Sequence, residues 1–333
     1  MVDKKLITII VIAIAIIGGL YYVTSSDGLN LAGGNRTITD MAGRSVEIPA
    51  HIDKVMGFDS ANRELCYLNC SDKIVGLQTM EQKNAKSLPY MVANQNLVNL
   101  PVFGSLDDGS LNYEELAASK PDIIFVDGVE KAENIETKTG IPTVVVYEGM
   151  VGTDDQMQNY TNSLQLMGKI MDKEDRAKEL TSYMKEMQDD LNKRTKDASS
   201  NQTVYIGGHA YFGAHGLSYT NAFYPPFNYL GLNNVASSIN NSSDASHQAM
   251  EVGKEQLITW NPDKIFVESS SIISHQNDSV QNKEYSEMTA VKTDNVYEIF
   301  SYCMYFYNKE EMFSNSYYIG KVCYPDQFND VDI

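Results

Sequence analysis

The sequence predicts an α/β protein: two Rossmann-like lobes with central parallel sheets, joined by one long rigid α-helix and preceded by an N-terminal transmembrane anchor. Three observations carry that expectation. A helix-turn-strand segment occurs twice at a constant offset, a stretch without Gly or Pro separates the copies, and an uncharged run stands near the amino terminus. The 333 residues leave room for about two domains, and 43% apolar against 21% charged residues suffice for a substantial core.

Residues 1–35 read as anchor and tether. Lys4 and Lys5 precede the uncharged run Leu6 to Val23, which at about 1.5 Å per residue nearly spans a hydrocarbon core of about 30 Å. Positive charge in front of it places the amino terminus in the cytoplasm and the rest outside. No small-x-small cleavage site and no cysteine for a lipid follows, so an uncleaved anchor is the first expectation and a cleaved signal peptide the second. The Ser-, Gly- and Asn-containing spacer Thr24 to Gly34 reads as a flexible tether.

The repeat organises the remainder. Asn112 to Gly128 (NYEELAASKPDIIFVDG) and Gly253 to Ser269 (GKEQLITWNPDKIFVES) align without a gap at an offset of 141, with seven of 17 positions identical. Each copy reads as a short helix, a Pro-Asp turn and a buried strand, Ile123 to Val126 and Ile265 to Val267. Matching flanks read as further strands: His51 to Phe58 and Asn201 to Gly208 before the copies, Gly140 to Tyr147 and Thr293 to Phe300 after them. Strands alternating with helices imply parallel sheets covered on both faces. The lobes are then 36–152 and 199–333. The linker 153–198 contains Lys173 to Ala198, where Leu180, Met184, Met187 and Leu191 recur at spacings of 4, 3 and 4, one apolar face of a bridging helix.

Charge and cysteine content exclude several classes. With 26 Lys and Arg against 44 Asp and Glu, a formal charge of −18 speaks against a nucleic-acid partner. Four cysteines without a C-x-x-C pair suit neither a disulfide scaffold nor a zinc ribbon. Cys66 and Cys70, one helical turn apart, are poorly placed to bond to each other. Cys303 and Cys323 could pair or stay free, and buried free thiols are the default.

Open parallel sheets bind ligands beyond the carboxyl ends of their strands. The loops to inspect are Asp59 to Arg63, Asp127 to Lys131, Gly207 to Tyr224, Glu268 to Ile272 and Ser301 to Tyr307. The second-lobe loops are rich in rings, among them Tyr211, Phe212, Tyr224, Tyr302 and Tyr305. A tyrosine offers a flat apolar face and a polar tip, which suits a bulky planar ligand; the competing reading is that these rings pack the lobe. His209 and His215, six residues apart, could bind a transition metal or donate hydrogen bonds to a ligand. No carboxylate or cysteine lies close enough in sequence to complete a metal set, so no metal site of the protein's own is assigned. His51, His247 and His275 are expected in solvent. No catalytic motif of the nucleophile-elbow, zinc-helix or phosphate-loop type occurs.

Glu114 and Glu255 occupy equivalent positions in the repeat, each at the second residue of its helix. An acid there favours the positive helix end, and two such acids, one per lobe, could also dock a two-fold symmetric partner.

The chain resembles the substrate-binding proteins of ABC importers for iron complexes, haem and vitamin B12, the class III periplasmic-binding-protein fold. The likeness covers nearly all of residues 36 to 328. It rests on RTITDMAGRSVEIPAHIDKV, DSANREL with DKIVGL, YEELAASKPDIIFV, GIPTVVV, the long helix and KEQLITWNPDKIFV. GAHGLSYTNAFYPPFNYLGLNNVAS and EEMFSNSYYIGKVCYPDQF look most like the archaeal iron branch. The resemblance implies two lobes on a rigid helix, one ligand between them and little closure. It further implies that Glu114 and Glu255 meet arginines of a dimeric permease driven by a cytoplasmic ATPase, and that Asn62 and Arg63 touch ligand. With only five arginines in the chain, the multi-arginine clamp of anionic-siderophore binders is not evident. A further helix is expected after Lys309 to Val322.

The expectation is therefore a non-enzymatic, anchored, extracytoplasmic binding protein without a cofactor, whose ligand is an iron chelate, haem or corrinoid and so carries iron or cobalt. The expected ligand contacts are Asn62, Arg63, His209, Tyr211, Phe212, His215, Tyr224, Tyr302 and Tyr305. The alternative is a chelatase-like or metallocluster enzyme on the same scaffold, using His209, His215 and Cys303 to hold or insert metal.

Overall fold

The computed structural model describes residues 34–198, 201–210, 213–239, 249–274, 278–303 and 306–332. The expected anchor, Leu6 to Val23, and all of its tether but Gly34 lie outside them. Among the described residues no helix is long and apolar enough to cross a membrane.

The chain enters through an antiparallel hairpin, β1 (Asn35–Thr39) and β2 (Ser45–Pro49). Asp40 Oδ1 holds its turn by accepting from the Ala42 and Arg44 amides at 3.0 and 2.9 Å. β3 (Val55–Gly57), β4 (Ile123–Val126) and β5 (Thr143–Val145) then pair in parallel in the order β3-β4-β5. Every residue of these three strands is buried, as their uninterrupted apolar character requires of a sheet covered on both sides. The cover comes from α1 (Ala61–Tyr67), α2 (Thr79–Lys83), α3 (Pro89–Ala93), α4 (Tyr113–Ser119) and α5 (Val129–Thr139). α1 presses on β3 so closely that a Cβ on Gly57 would lie 2.4 Å from the Asn62 amide nitrogen.

The linker is a helical hairpin whose second arm is the expected bridging helix. α6 (Asp154–Ile170) begins with a capping box, Thr153 Oγ1 accepting from the Gln156 amide at 3.1 Å, and α7 (Glu174–Thr195) returns alongside it. Gln188 Nε2 donates to Asp154 Oδ1 at 3.1 Å, which fixes the antiparallel register. α7 is the bridging helix, about 33 Å long at about 1.5 Å per residue. Its first turn meets the first lobe through Arg176 Nε and the Tyr67 carbonyl, 3.0 Å apart. Its last turn meets the second half of the chain, where the Arg194 guanidinium forks onto both Asp330 oxygens at 2.6 and 2.8 Å. The buried stripe is Ala177, Thr181, Met184, Gln188, Leu191 and Thr195, half polar, while Leu180 and Met187 are half-buried beside it.

The second lobe repeats the plan. β6 (Thr203–Gly207), β8 (Asn233–Asn234), β10 (Lys264–Glu268) and β11 (Val296–Ile299) form a parallel sheet in the order β11-β10-β6-β8. β7 (Tyr219–Asn221) and β9 (Ala249–Glu251) make a separate antiparallel ribbon. The helices here are α8 (Pro225–Tyr229), α9 (Lys254–Trp260), α10 (Ser269–Ser274), α11 (Thr289–Lys292) and α12 (Lys309–Cys323). Two apolar clusters lie on the outer faces of the sheets. A third is continuous from Val55 and Phe125 through Tyr160 and Leu191 to Phe266 and Phe313.

The repeat has a structural explanation. α4 and α9 both end on a residue in the left-handed region, Lys120 at φ 52° and Asn261 at φ 44°. The Asp of each Pro-Asp pair caps the neighbouring strand: Asp122 Oδ2 accepts from the Asp53 and Lys54 amides, and Asp263 Oδ2 from the Thr203 amide, at 2.7 to 2.8 Å. These side-chain bonds take the donors ahead of β3, which is why it starts at Val55 and is shorter than the apolar pattern from His51 suggests. All four cysteines are free thiols, three of them buried and Cys303 half-buried.

Candidate functional site

The carboxyl ends of the two parallel sheets meet at a polar seam. Lys309, at the start of α12, reaches into the first lobe, with Nζ 3.4 Å from Glu64 Oε1 and 4.3 Å from the centre of the Tyr160 ring. Arg63 of α1 reaches the other way, donating to the Tyr307 carbonyl at 3.2 Å and lying 5.3 Å from the Tyr90 ring centre. Tyr67 hydrogen-bonds Glu310, and the Tyr229 hydroxyl bonds the Val151 carbonyl. Arg63 and Lys309 are both buried. Burial pushes the Lys309 ammonium below its ordinary range, with Glu64 pulling the other way.

On the first-lobe side each strand of the sheet is followed by a carboxyl group: Asp59 after β3, Asp127 after β4 and Glu148 after β5. They interlock through the backbone. The Asp127 amide donates to Asp59 Oδ2 at 3.2 Å, the Glu148 amide to Asp127 Oδ2 at 3.4 Å, and the Ser60 amide to Glu148 Oε2. Asp59, itself at φ 55°, accepts Lys131 Nζ at 2.6 Å. Burial raises all three acids above the usual carboxylate range; for Asp59 the Lys131 ammonium opposes it, and for Glu148 the charges of Asp59 and Asp127 add to it. The Ser60 hydroxyl and Glu148 Oε1 are both buried, and neither makes a hydrogen bond of good geometry with a described residue.

On the second-lobe side His209 follows β6 and is 1% exposed. Its Nδ1 lies 2.8 Å from Glu268 Oε1, the last residue of β10, whose other oxygen accepts the Ala210 amide at 2.8 Å. Its Nε2 lies 3.1 Å from Asn221 Nδ2. The Asn221 amide is oriented by its own oxygen, which accepts the Phe223 N–H at 2.8 Å, so Nδ2 must be the group facing the imidazole. An NH2 group only donates, hence Nε2 accepts and the proton sits on Nδ1 toward Glu268. Cys303 Sγ is 3.8 Å from the same Nε2. Burial, then the Glu268 charge, holds that thiol well above its ordinary range. A protonated thiol facing an already engaged imidazole is not the activated pair that nucleophilic chemistry needs.

The structure brings some expected contacts together and gives others a different place. Asn62 is buried and committed to the fold: Oδ1 accepts the Gly57 amide at 2.9 Å, and Nδ2 donates to the Gly76 carbonyl and Glu81 Oε2 at 3.2 and 3.1 Å. Arg63 and His209 face the seam from opposite lobes. Tyr224 and Tyr302 are fully buried, with ring centres 5.7 Å from each other and about 6 Å from His209. They line the seam's apolar floor rather than an open wall, and neither hydroxyl has a hydrogen-bond partner of good geometry among the described residues. His215 is half-buried and stacks on Tyr219 with centroids 3.8 Å apart. His51 is exposed. Tyr211, Phe212, Tyr305, His247 and His275 lie outside the described residues. Among the described residues no three His, Cys, Asp or Glu side chains are arranged to hold a metal ion.

Sequence reasoning marks the loops starting at Asp59, Asp127 and Glu268 but misses their acids as a set, together with Glu148 and Lys309. The signal was available: FVDG, VVYEG and FVES each place an acid where an apolar strand run stops. Glu114 and Glu255 are both exposed in the first turns of α4 and α9. Each helix runs opposite to the strand that follows it. Their amino ends therefore lie at the level of the strands' carboxyl ends.

The sequence model of the family described as periplasmic binding protein matches residues 68–302. The molybdate-binding protein MolA of Haemophilus influenzae is 24% identical over 322 residues, spanning 90% of this chain and 88% of its own. Its molybdate-bound crystal structure superposes with a TM-score of 0.68 over 89% of this chain and 94% of that one, at 23% identity. A periplasmic solute binding protein from Veillonella parvula also gives 0.68, at 23% identity over 90% and 89% of the two chains. The petrobactin-binding protein YclQ of Bacillus subtilis gives 0.64, at 19% identity over 87% and 99%.

Proposed function

Because the chain belongs to the periplasmic binding protein family, we propose that it is the extracytoplasmic solute-binding protein of an ABC importer. It captures a metal chelate, of the siderophore, haem or corrinoid type, at the seam between lobes 36–152 and 199–333 and delivers it to a dimeric permease coupled to a cytoplasmic ATPase. The observation that carries this reading is the seam itself: charged and polar groups from the strand ends of both sheets, several of them buried without partners, converge where such folds take ligands. The relatives support a solute role, since MolA is a molybdate-binding protein and YclQ a petrobactin-binding protein. The run Leu6 to Val23 supplies the tether. Glu114 and Glu255, exposed at the level of the strands' carboxyl ends, are the permease contacts, and the stiff linker 153–198 keeps their spacing.

A chelatase-like enzyme would need His209, His215 and Cys303 free to take metal, and the Asn221 bond to His209 and the stacking of His215 on Tyr219 speak against it. The test is reconstitution with permease and ATPase from the same genome neighbourhood. Glu114→Ala with Glu255→Ala should reduce stimulated ATPase activity at least ~10-fold while cargo binding stays intact. Undiminished stimulation would remove the docking assignment, and failure of the intact protein to stimulate at all would remove the importer reading.

A further inference from the structure

Oxyanions in α/β folds are held by backbone amides at strand and helix ends together with Arg or Lys. Here those amides are already used. The Ser60, Asp127 and Glu148 amides, at the carboxyl ends of β3, β4 and β5, donate to the carboxyl groups of Glu148, Asp59 and Asp127. Across the seam the Ala210 amide donates to Glu268. The protein's own carboxyls fill the positions an oxyanion would take.

The cations of the seam are likewise committed. Lys131 lies on Asp59 and 3.6 Å from Asp107, Lys309 lies on Glu64, and Arg63 is held by the Tyr307 carbonyl and the Tyr90 ring. Among the described residues no cation pairs directly with the carboxyl of Asp127 or Glu148, though the Lys309 ammonium also donates to the Glu148 carbonyl at 3.5 Å. Asp127 is half-buried and so remains reachable. On the opposite face the Tyr224 and Tyr302 hydroxyls are buried and make no hydrogen bond of good geometry with a described residue, as expected of groups that meet a ligand. The formal charge of −18 adds a field that draws cations in and repels anions.

We propose that the seam selects a positively charged metal complex over anionic chelates and oxyanions, with the half-buried Asp127 as its charged recognition group on the first lobe. The assignment rests on the importer reading and adds the charge of the cargo. It also separates this chain from its molybdate-binding relative.

Quenching of intrinsic fluorescence in the full-length protein at fixed ionic strength tests it. The probes are a ferric trihydroxamate with a pendant ammonium, a neutral ferric trihydroxamate, a trianionic ferric tris-catecholate and molybdate. The cationic complex should bind at least ~10-fold more tightly than the tris-catecholate, with molybdate weakest. Asp127→Asn, which keeps an acceptor for the Glu148 amide, should weaken the cationic probe by about 10-fold and change the neutral one by less than about 2-fold. Tighter binding of either anion, or an Asp127→Asn protein indifferent to probe charge, would overturn the charge assignment and leave the importer reading standing. Binding of none of the four would count against the importer reading and take the assignment with it.

Discussion

Glu311, in the first turn of α12, shows how this seam couples to pH at the level of a single side chain. Burial, with the charges of Glu310 and then Glu268 and against the pull of Arg63, raises its carboxyl to about 7. In the unfolded chain the same group titrates near 4.5. A folded value above the unfolded one means the native state binds the proton more tightly. The resulting stabilisation is complete below about 4.5 and is lost as pH rises through about 7. Glu311→Gln, permanently neutral, should therefore melt ~2 °C higher than the wild type at pH 8, the small size reflecting solvent screening of a partly exposed group. At pH 4, below both values, the two proteins should melt together. Thermal scans at the two pH values check this, and equal differences at both would show that the carboxyl does not titrate where its surroundings place it. The acids at the ends of β3, β4 and β5 bias stability in the same sense, so the variant should flatten the pH slope and not abolish it.

Among the elements, the α6–α7 hairpin depends on a close approach. A Cβ on Gly168 would stand 2.6 Å from the Ala177 Cβ, so the helices meet there with no room for a side chain. Gly168→Val should cost about 1–3 kcal/mol by forcing α6 and α7 apart, and adding Ala177→Gly should recover part of that loss. Urea unfolding of the two variants decides the point; a neutral Gly168→Val would mean the hairpin yields freely. This packing also shows what sequence can convey. The apolar spacing of Leu180, Met184, Met187 and Leu191 announces α7, but the stripe it buries includes Thr181, Gln188 and Thr195. Their partners, such as Asp154, lie a whole helix away in sequence. The repeat was legible because each copy is one contiguous helix, Pro-Asp turn and strand, although the bonds its Asp makes reach back to a strand about 60 to 70 residues earlier. The His209 network was not, since Asn221, Glu268 and Cys303 reach it from three separate elements. Tyr224 and Tyr302 could be read as wall or core from composition alone, and only the folded chain shows them buried.

For the molecule as a whole, the question is how far the lobes can move when cargo enters. Three kinds of connection resist opening. A single apolar cluster runs from the first sheet through the hairpin into the second sheet. Lys309 reaches across the seam to Glu64 of the first lobe, and Arg63 reaches back to the Tyr307 carbonyl of the second. α7 is pinned at both ends, by Arg176 at Tyr67 and by Arg194 at Asp330. Wide hinge motion would have to expose the shared cluster and leave Glu64 buried without its cation, a cost of several kcal/mol. Cargo should therefore enter by local movement of strand-end loops, with Lys131 and the His215–Tyr219 stack at the more open positions. Small-angle X-ray scattering with and without the tightest-binding chelate should show a change in radius of gyration below about 1 Å. Lys309→Met, which removes one of these contacts, should enlarge that change. A contraction well beyond 1 Å in the wild type would mean that the shared cluster divides at the seam and that the Lys309 and Arg63 contacts do not hold the lobes in register.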